Sequence, residues 1–306
     1  MPCGQIPVLG EQFSHVANQH PCFSGEANMN HGRIHLPVSP VCNIQCRFCK
    51  RTFNKTEQRP GVTAKILKSE TAVSLVERAL ELYPEITVAG IAGPGDTLAS
   101  PHALETFTLI HQKLPNLINC LSTNGLLLER YADDIAAAGV QTLTVTVNAV
   151  DPVILDKICS RVILDGVVHE GVEGAAILIG AQKQGIRKAA DLGLLIKINI
   201  VLIPTINGSH IGEIARTVKD LGAGIVNIIP LIPQHEFADF SPPDCFELAL
   251  AREEAEKSLP VFRHCQHCRA DACGIPGKGD MTIADLLPEE LQTAEYKKME
   301  QTFSHG

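Results

Sequence analysis

The stretch that most constrains this chain is Cys42-Asn43-Ile44-Gln45-Cys46-Arg47-Phe48-Cys49, where three cysteines fall at spacings of three and then two residues. A [4Fe–4S] cluster is held by cysteine thiolates, four in a full set. Three close cysteines with no fourth nearby imply a cube with one open iron, able to chelate a small molecule through an amine and a carboxylate. The alternative is a zinc site completed by a distant fourth ligand.

With 306 residues and 45% hydrophobic content, the chain can build one large α/β domain or two ordinary ones. Tryptophan is absent and aromatics are 4%, so the core is mainly aliphatic, which suits buried parallel strands. A formal charge of −8 gives no reason to expect a nucleic-acid partner. No apolar run reaches transmembrane length, and the N-terminus lacks the basic-then-apolar order of a signal peptide. Eleven cysteines without a secretion signal argue against a disulfide framework and for a cytoplasmic metal or redox protein.

Taken in order, apolar and β-branched runs predict strands at 34–38, 86–91, 117–121, 142–147, 195–202 and 225–229. Helical spacing predicts helices at 69–82, 101–114, 131–138, 173–192, a stretch ending at 221, and 244–257, with a short one at 156–159. Asp165-Gly166 reads as a turn. This alternation is the rhythm of a parallel sheet. The fold expected is α/β, a partial (βα)6 TIM-like barrel, with an open doubly wound sheet as competitor. The expected divisions are an extension at 1–33, a core at 34–235, and a segment at 236–306 ending in a partly helical tail frayed at 302–306.

Several stretches sit where chemistry gathers in such folds, after strand ends. They are Gly93-Pro94-Gly95-Asp96, Ser122-Thr123-Asn124-Gly125 and Asn148. The plainer reading of Gly93–Asp96 is a strand-to-helix turn. His20-Pro21-Cys22 and Cys265-Gln266-His267-Cys268 offer further thiolates, the second at metal-ligand spacing; by themselves Cys22 reads as an ordinary loop cysteine and Cys265-Cys268 as a zinc half-site or a redox pair. Cys120, inside a predicted strand, reads by itself as a buried small hydrophobe. Residues 50–62 form a charged loop able to cover a substrate cavity.

The C-x3-C-x2-C spacing, with Phe48 before the last cysteine, resembles the signature of radical S-adenosylmethionine (SAM) enzymes. The further motifs His20-Pro21-Cys22, Arg59-Pro60-Gly61-Val62, Gly93–Asp96, 120–125, 144–152 and 265–271 together resemble the NifB family, in the short form that lacks a C-terminal carrier-like domain. That resemblance covers roughly residues 19–275 and implies a radical SAM barrel with cluster-binding extensions at both ends. It implies an enzyme of nitrogenase FeMo-cofactor biosynthesis that fuses two [4Fe–4S] precursor clusters, K1 and K2. A carbide from one SAM and a ninth sulfur complete an [8Fe–9S–C] product. Cys42, Cys46 and Cys49 would hold the cluster that binds SAM. Phe48, Gly93, Gly95, Asp96, Ser122, Thr123, Asn124 and Asn148 would line SAM. Cys22, Cys265 and Cys268 would hold one precursor, and Cys120, with His35 or another histidine, the other. Implied partners are Fe–S donor and scaffold or carrier proteins and an electron donor such as ferredoxin or flavodoxin.

The chain departs from the family at two places. Lys55 stands where the family carries a K1-associated cysteine, and Asn28-Met29 stands where it carries two histidines. His31, His35 or Cys159 could substitute as a K1 ligand. Glu57, kept beside Arg59, is a candidate proton donor or acceptor, the plainer reading being a surface salt bridge. Cys3, Cys159, Cys245 and Cys273 read as structural thiols. Three functions stay open: a cluster-fusing NifB enzyme, a related radical SAM enzyme with another substrate, and a non-catalytic Fe–S carrier.

Overall fold

A computed structural model describes residues 13–278 and 281–286; Cys3 and the tail at 302–306 lie outside them. Its main sheet is built from β1 (Gly32–His35), β2 (Ile86–Ile91), β3 (Ile118–Thr123), β4 (Val140–Thr146), β5 (Leu195–Leu202), β6 (Ile225–Pro230), β7 (Ala272–Gly274) and β8 (Met281–Thr282), in the order β6-β5-β4-β3-β2-β1-β7-β8. The first six strands are parallel, and β7 and β8 add antiparallel pairs beyond β1. Helices α1 (Ser69–Leu82), α2 (His102–Lys113), α3 (Leu128–Ala137), α4 (Gly171–Asp191) and α5 (Ile211–Asp220) connect the strands in turn, and α6 (Cys245–Glu256) follows β6. This is the expected partial barrel, with its sheet left open between β6 and β8.

The strands show why the barrel has a wet interior. In β5, Ile196, Ile198, Ile200 and Leu202 are buried in the main core beneath the helices. The alternate residues Lys197, Asn199 and Val201 line a central cavity. Side chains of a strand alternate between faces, so polar residues at every second position belong to one face. The same alternation puts Cys120 and Ser122 of β3, Thr144 and Thr146 of β4, and Asn227 and Ile229 of β6 on the cavity. An apolar plug closes the other end. Val16, Ala17, Phe23 and Phe262 pack on Val88, Ile118, Leu195 and Ile225, which stand at or near the first residues of their strands.

The structure revises three local expectations. The predicted helix at 156–159 ends at Asp156, and Cys159–Leu164 is a strand pairing with Val167–Glu170 as a hairpin. Asp165 and Gly166 form its turn with φ of 51° and 79°, the left-handed pair a tight hairpin needs. Asp-Gly between apolar runs is a hairpin signal, so these strands were readable in advance. Cys46 pairs with Cys159 across Ile44–Cys46 and the first hairpin strand, which makes a three-stranded side sheet beside the cysteine loop. Cys159 is therefore no isolated structural thiol. Cys245 is exposed at the start of α6, so it packs no core; Cys273 is fully buried, as a structural thiol should be.

Candidate active site

The cysteine loop leaves the C-terminal end of β1 and is pinned by backbone bonds. Gly95 N–H donates to Ser39 O (2.7 Å) and Asp96 N–H to Val41 O (2.8 Å). A Cβ on Gly95 would sit 2.0 Å from Val41 O, so the two loops can approach this closely only at glycine. Gly93 needs glycine for conformation instead, since its φ is +126°.

Asp96 ties the next two strand ends together. Its carboxylate accepts from Thr123 Oγ1 (3.0 and 3.1 Å), Asn124 N–H (2.6 Å) and Leu98 N–H (3.0 Å). Burial pushes the Asp96 carboxyl up, and these donors work against that. Asn124 Nδ2 then donates to Asn43 Oδ1 (2.6 Å) inside the cysteine motif and lies 3.9 Å from Cys42 Sγ. Asn148 is locked from the far side, its Oδ1 accepting from Val201 N–H (2.9 Å). Sequence reasoning placed these residues beside a ligand; several of them also hold each other in place.

One cavity of about 360 Å³ collects these groups. It is lined by Cys42, Cys46 and Cys49, and by Phe48, Gly95, Asp96, Ser122, Thr123, Asn124 and Asn148. Cys22, Cys120, Cys265, Cys268 and His35 line it too. Gly93 and Glu57 are not among the lining residues. Glu57 pairs with Arg59 Nε (2.5 Å) and accepts from Thr52 Oγ1 (3.1 Å), which holds its carboxyl below the usual range. The salt-bridge reading of Glu57 thus describes its position, and the catalytic one has no contact with the cavity. Lys55 is exposed and likewise absent from the lining, as is His31.

Cys22, Cys120 and Cys265 pack against the plug at the strand starts. Cys22 and Cys265 come from the segments that close the end opposite the Cys42-Cys46-Cys49 loop, and Cys120 points inward from within β3, the strand position the sequence indicates. The cavity therefore has two tiers of sulfur, one at the strand ends and one near the strand starts.

Burial pushes the thiols up: Cys22 and Cys42 to about 12, with Cys49 and Cys120 also raised. The Cys159 contact, then burial, raises Cys46. Ionising so many buried thiols requires added positive charge, which a bound iron core supplies. Buried polar atoms without partners among the described residues include His20 Nε2, Gln182 Oε1, Asn227 Oδ1 and Gln234 Oε1, all on cavity-lining residues. Such orphans mark a place where a ligand belongs. Among the described residues no three His, Cys, Asp or Glu side chains gather around one point as ligands of a single ion would. A ring of sulfurs about a cavity fits a cluster better than a zinc ion.

Sequence reasoning missed Lys197, Asn199 and Asn227. They appear as polar interruptions at alternate positions in apolar strands, and that signal was available. Asn227 Nδ2 donates to Asn199 Oδ1 (3.1 Å) across the barrel wall.

Comparison with known proteins agrees with this arrangement. The radical SAM superfamily pattern matches residues 36–218. The FeMo cofactor biosynthesis protein NifB of Methanocaldococcus jannaschii is 51% identical over 266 residues, covering 86% of this chain and 88% of that protein. The Azotobacter vinelandii protein of the same name is 37% identical over 293 residues, covering 92% of this chain and 58% of its own. Methylornithine synthase shares the fold, with a TM-score of 0.50 at 14% identity over 77% of this chain and 65% of that one. On that evidence the chain is a radical SAM enzyme, and within the superfamily it belongs to the NifB family.

Proposed function

We propose that the chain acts in FeMo-cofactor biosynthesis, fusing two [4Fe–4S] substrate clusters with a SAM-derived carbon and an added sulfur into an [8Fe–9S–C] product. The observation that carries this reading is that Cys22, Cys120, Cys265 and Cys268 line the same cavity as the Cys42-Cys46-Cys49 loop. A [4Fe–4S] cluster on Cys42, Cys46 and Cys49 would bind SAM at its open iron and supply the electron that cleaves it to a 5′-deoxyadenosyl radical. The chain's residues do the rest. Asp96 braces Thr123 and Asn124, Asn124 braces the cysteine loop through Asn43, and Phe48 and Asn148 complete the wall for SAM. The lower sulfur tier holds substrate clusters that must later leave, which suits partial ligation. The plug of Phe23 and Phe262 excludes water from below. Fe–S donors, a carrier protein and a ferredoxin- or flavodoxin-type reductant are the partners this chemistry requires.

One observation favours a changed K1 ligand set: Lys55 lies outside the cavity lining, whereas His35 and Cys159 are within it. The same lining argues against a carrier, which needs no wall for SAM. Anaerobic reconstitution, iron counting and a SAM-cleavage assay on one sample test the proposal. About twelve irons per chain, three cubes, with 5′-deoxyadenosine and S-adenosylhomocysteine both formed, is the expected result. About eight irons with deoxyadenosine alone indicates a lost K1 site and another reaction. Clusters without SAM cleavage under reducing conditions would leave the carrier.

A further inference from the structure

Two cations are buried beside the lower sulfur tier. Arg33, 1% exposed, donates from Nη2 to Cys268 Sγ (3.1 Å) and from Nη1 to Gly274 O (2.5 Å). Lys197, 6% exposed, projects from β5 into the cavity. Its Nζ donates to Cys22 O (3.4 Å) and stands 5.2 Å from the centre of the Phe23 ring and 5.7 Å from that of Phe262. Among the described residues Lys197 has no carboxylate partner, and its charge acts on the Cys22 and Cys120 thiols and on His20 and His35. One carbonyl and two ring faces compensate a buried ammonium only in part, and a buried charge left unpaired is costly. A site is built this way when its occupant is an anion. An iron–sulfur core on three or four thiolates carries net negative charge.

We propose that Lys197, with Arg33, is the countercharge that retains the substrate cluster on Cys22, Cys265 and Cys268 and sets how readily that cluster is reduced. Lys197 is a positioning residue here and makes no bond to iron. Its reach explains how few ligands can keep a cluster that must later be released: a fixed charge adds retention without adding a covalent bond. The inference rests on the proposed function only in taking these cysteines to hold a substrate cluster.

The test compares the anaerobically reconstituted full chain with Lys197→Met, which keeps the side chain's approximate shape, and Lys197→Arg, which keeps the charge. Iron release to bathophenanthroline disulfonate and dithionite titration followed by electron paramagnetic resonance are measured on each. The SAM-responsive signal of the Cys42-Cys46-Cys49 cluster separates the two kinds of cluster and reports that the fold is intact. In Lys197→Met the substrate cluster should be released at least tenfold faster. Its reduction should become at least tenfold less favourable, about 59 mV lower for one electron. Lys197→Arg should restore most of both. Release and potential within twofold of the parent in Lys197→Met overturn the inference, as does a Lys197→Arg variant no better than Lys197→Met. If Cys265→Ser with Cys268→Ser leaves the iron content unchanged, the cluster assignment itself falls and takes this inference with it.

Discussion

Replacing Gly95 by alanine tests whether the close approach of two loops builds the upper site. The new Cβ would lie 2.0 Å from Val41 O, 2.5 Å from Val41 C and 2.8 Å from Val41 N, all rigid backbone. Reaching an ordinary contact of 3.4 Å requires a separation of about 1.4 Å. That movement breaks the bonds from Gly95 N–H to Ser39 O and from Asp96 N–H to Val41 O. Each lost bond costs about 1 kcal/mol, and overpacking adds about 1–3 kcal/mol. A total of about 3–5 kcal/mol follows, which for a chain this size lowers the melting temperature by roughly 5–8 °C. Val41 precedes Cys42, so the displaced backbone carries that proposed cluster ligand with it. Thermal unfolding of the anaerobic apo-protein by circular dichroism, with iron counting after reconstitution, reads both effects. A melting temperature within about 1 °C of the parent and a full iron complement would refute the reasoning.

Gly180 in α4 meets nothing within 4 Å of an added Cβ, so Gly180→Ala should stabilise the fold by about 0.5–1 kcal/mol with iron content unchanged, read by urea unfolding. The fully buried Asp271 accepts from Arg269 Nε (2.7 Å) and Ala64 N–H (2.6 Å), while Arg269 also donates to Asn54 O and Glu57 O, so the pair ties the loop over the cavity to the Cys265–Cys268 segment. Asp271→Asn should cost about 3–5 kcal/mol and lower iron retention; a urea midpoint equal to the parent's would sink this account. Burial, then the Arg33 charge, holds His35 down at about 4 against an ordinary 6.5, and burial lowers His20 as well. Below pH 6.5 the unfolded apo-chain takes up protons that the folded one refuses, so stability present above 6.5 is lost as pH falls toward 4. His35 alone contributes about 1.4 kcal/mol per pH unit across that window. Urea midpoints at pH 7 and pH 5 should therefore differ, and equal midpoints would show that these rings are not held neutral.

Much of the scaffold was legible because it depends on local pattern. The strands Ile86–Ile91 and Leu195–Leu202 and the helix Ser69–Leu82 have the predicted bounds, since apolar runs and helical spacing are written within a few residues. The cysteine loop was legible for the same reason, its three thiols being close in sequence. The hairpin at 159–170 was written just as locally, in Asp165-Gly166 between apolar runs; the expectation there was the turn without its strands, and a short helix at 156–159 that overlaps the first. Lys197 and Asn199 were visible as polar interruptions in β5, but their meaning depends on which face of the strand looks inward.

The sequence by itself determined the parallel-sheet rhythm and the close grouping of Cys42, Cys46 and Cys49, because periodicity and short spacing are properties of neighbouring residues. Only the tertiary structure decided the depth of the site. It put Cys22 and Cys265 on an apolar plug beneath the barrel, turned Cys120 inward from β3, and kept Glu57 and Lys55 off the cavity lining. It also brought Arg33 to Cys268 Sγ and Lys197 to the Cys22 carbonyl, from strands more than 150 residues apart. Contacts at such separations are set by which strand faces meet across the barrel interior, and no local pattern in the chain encodes that meeting.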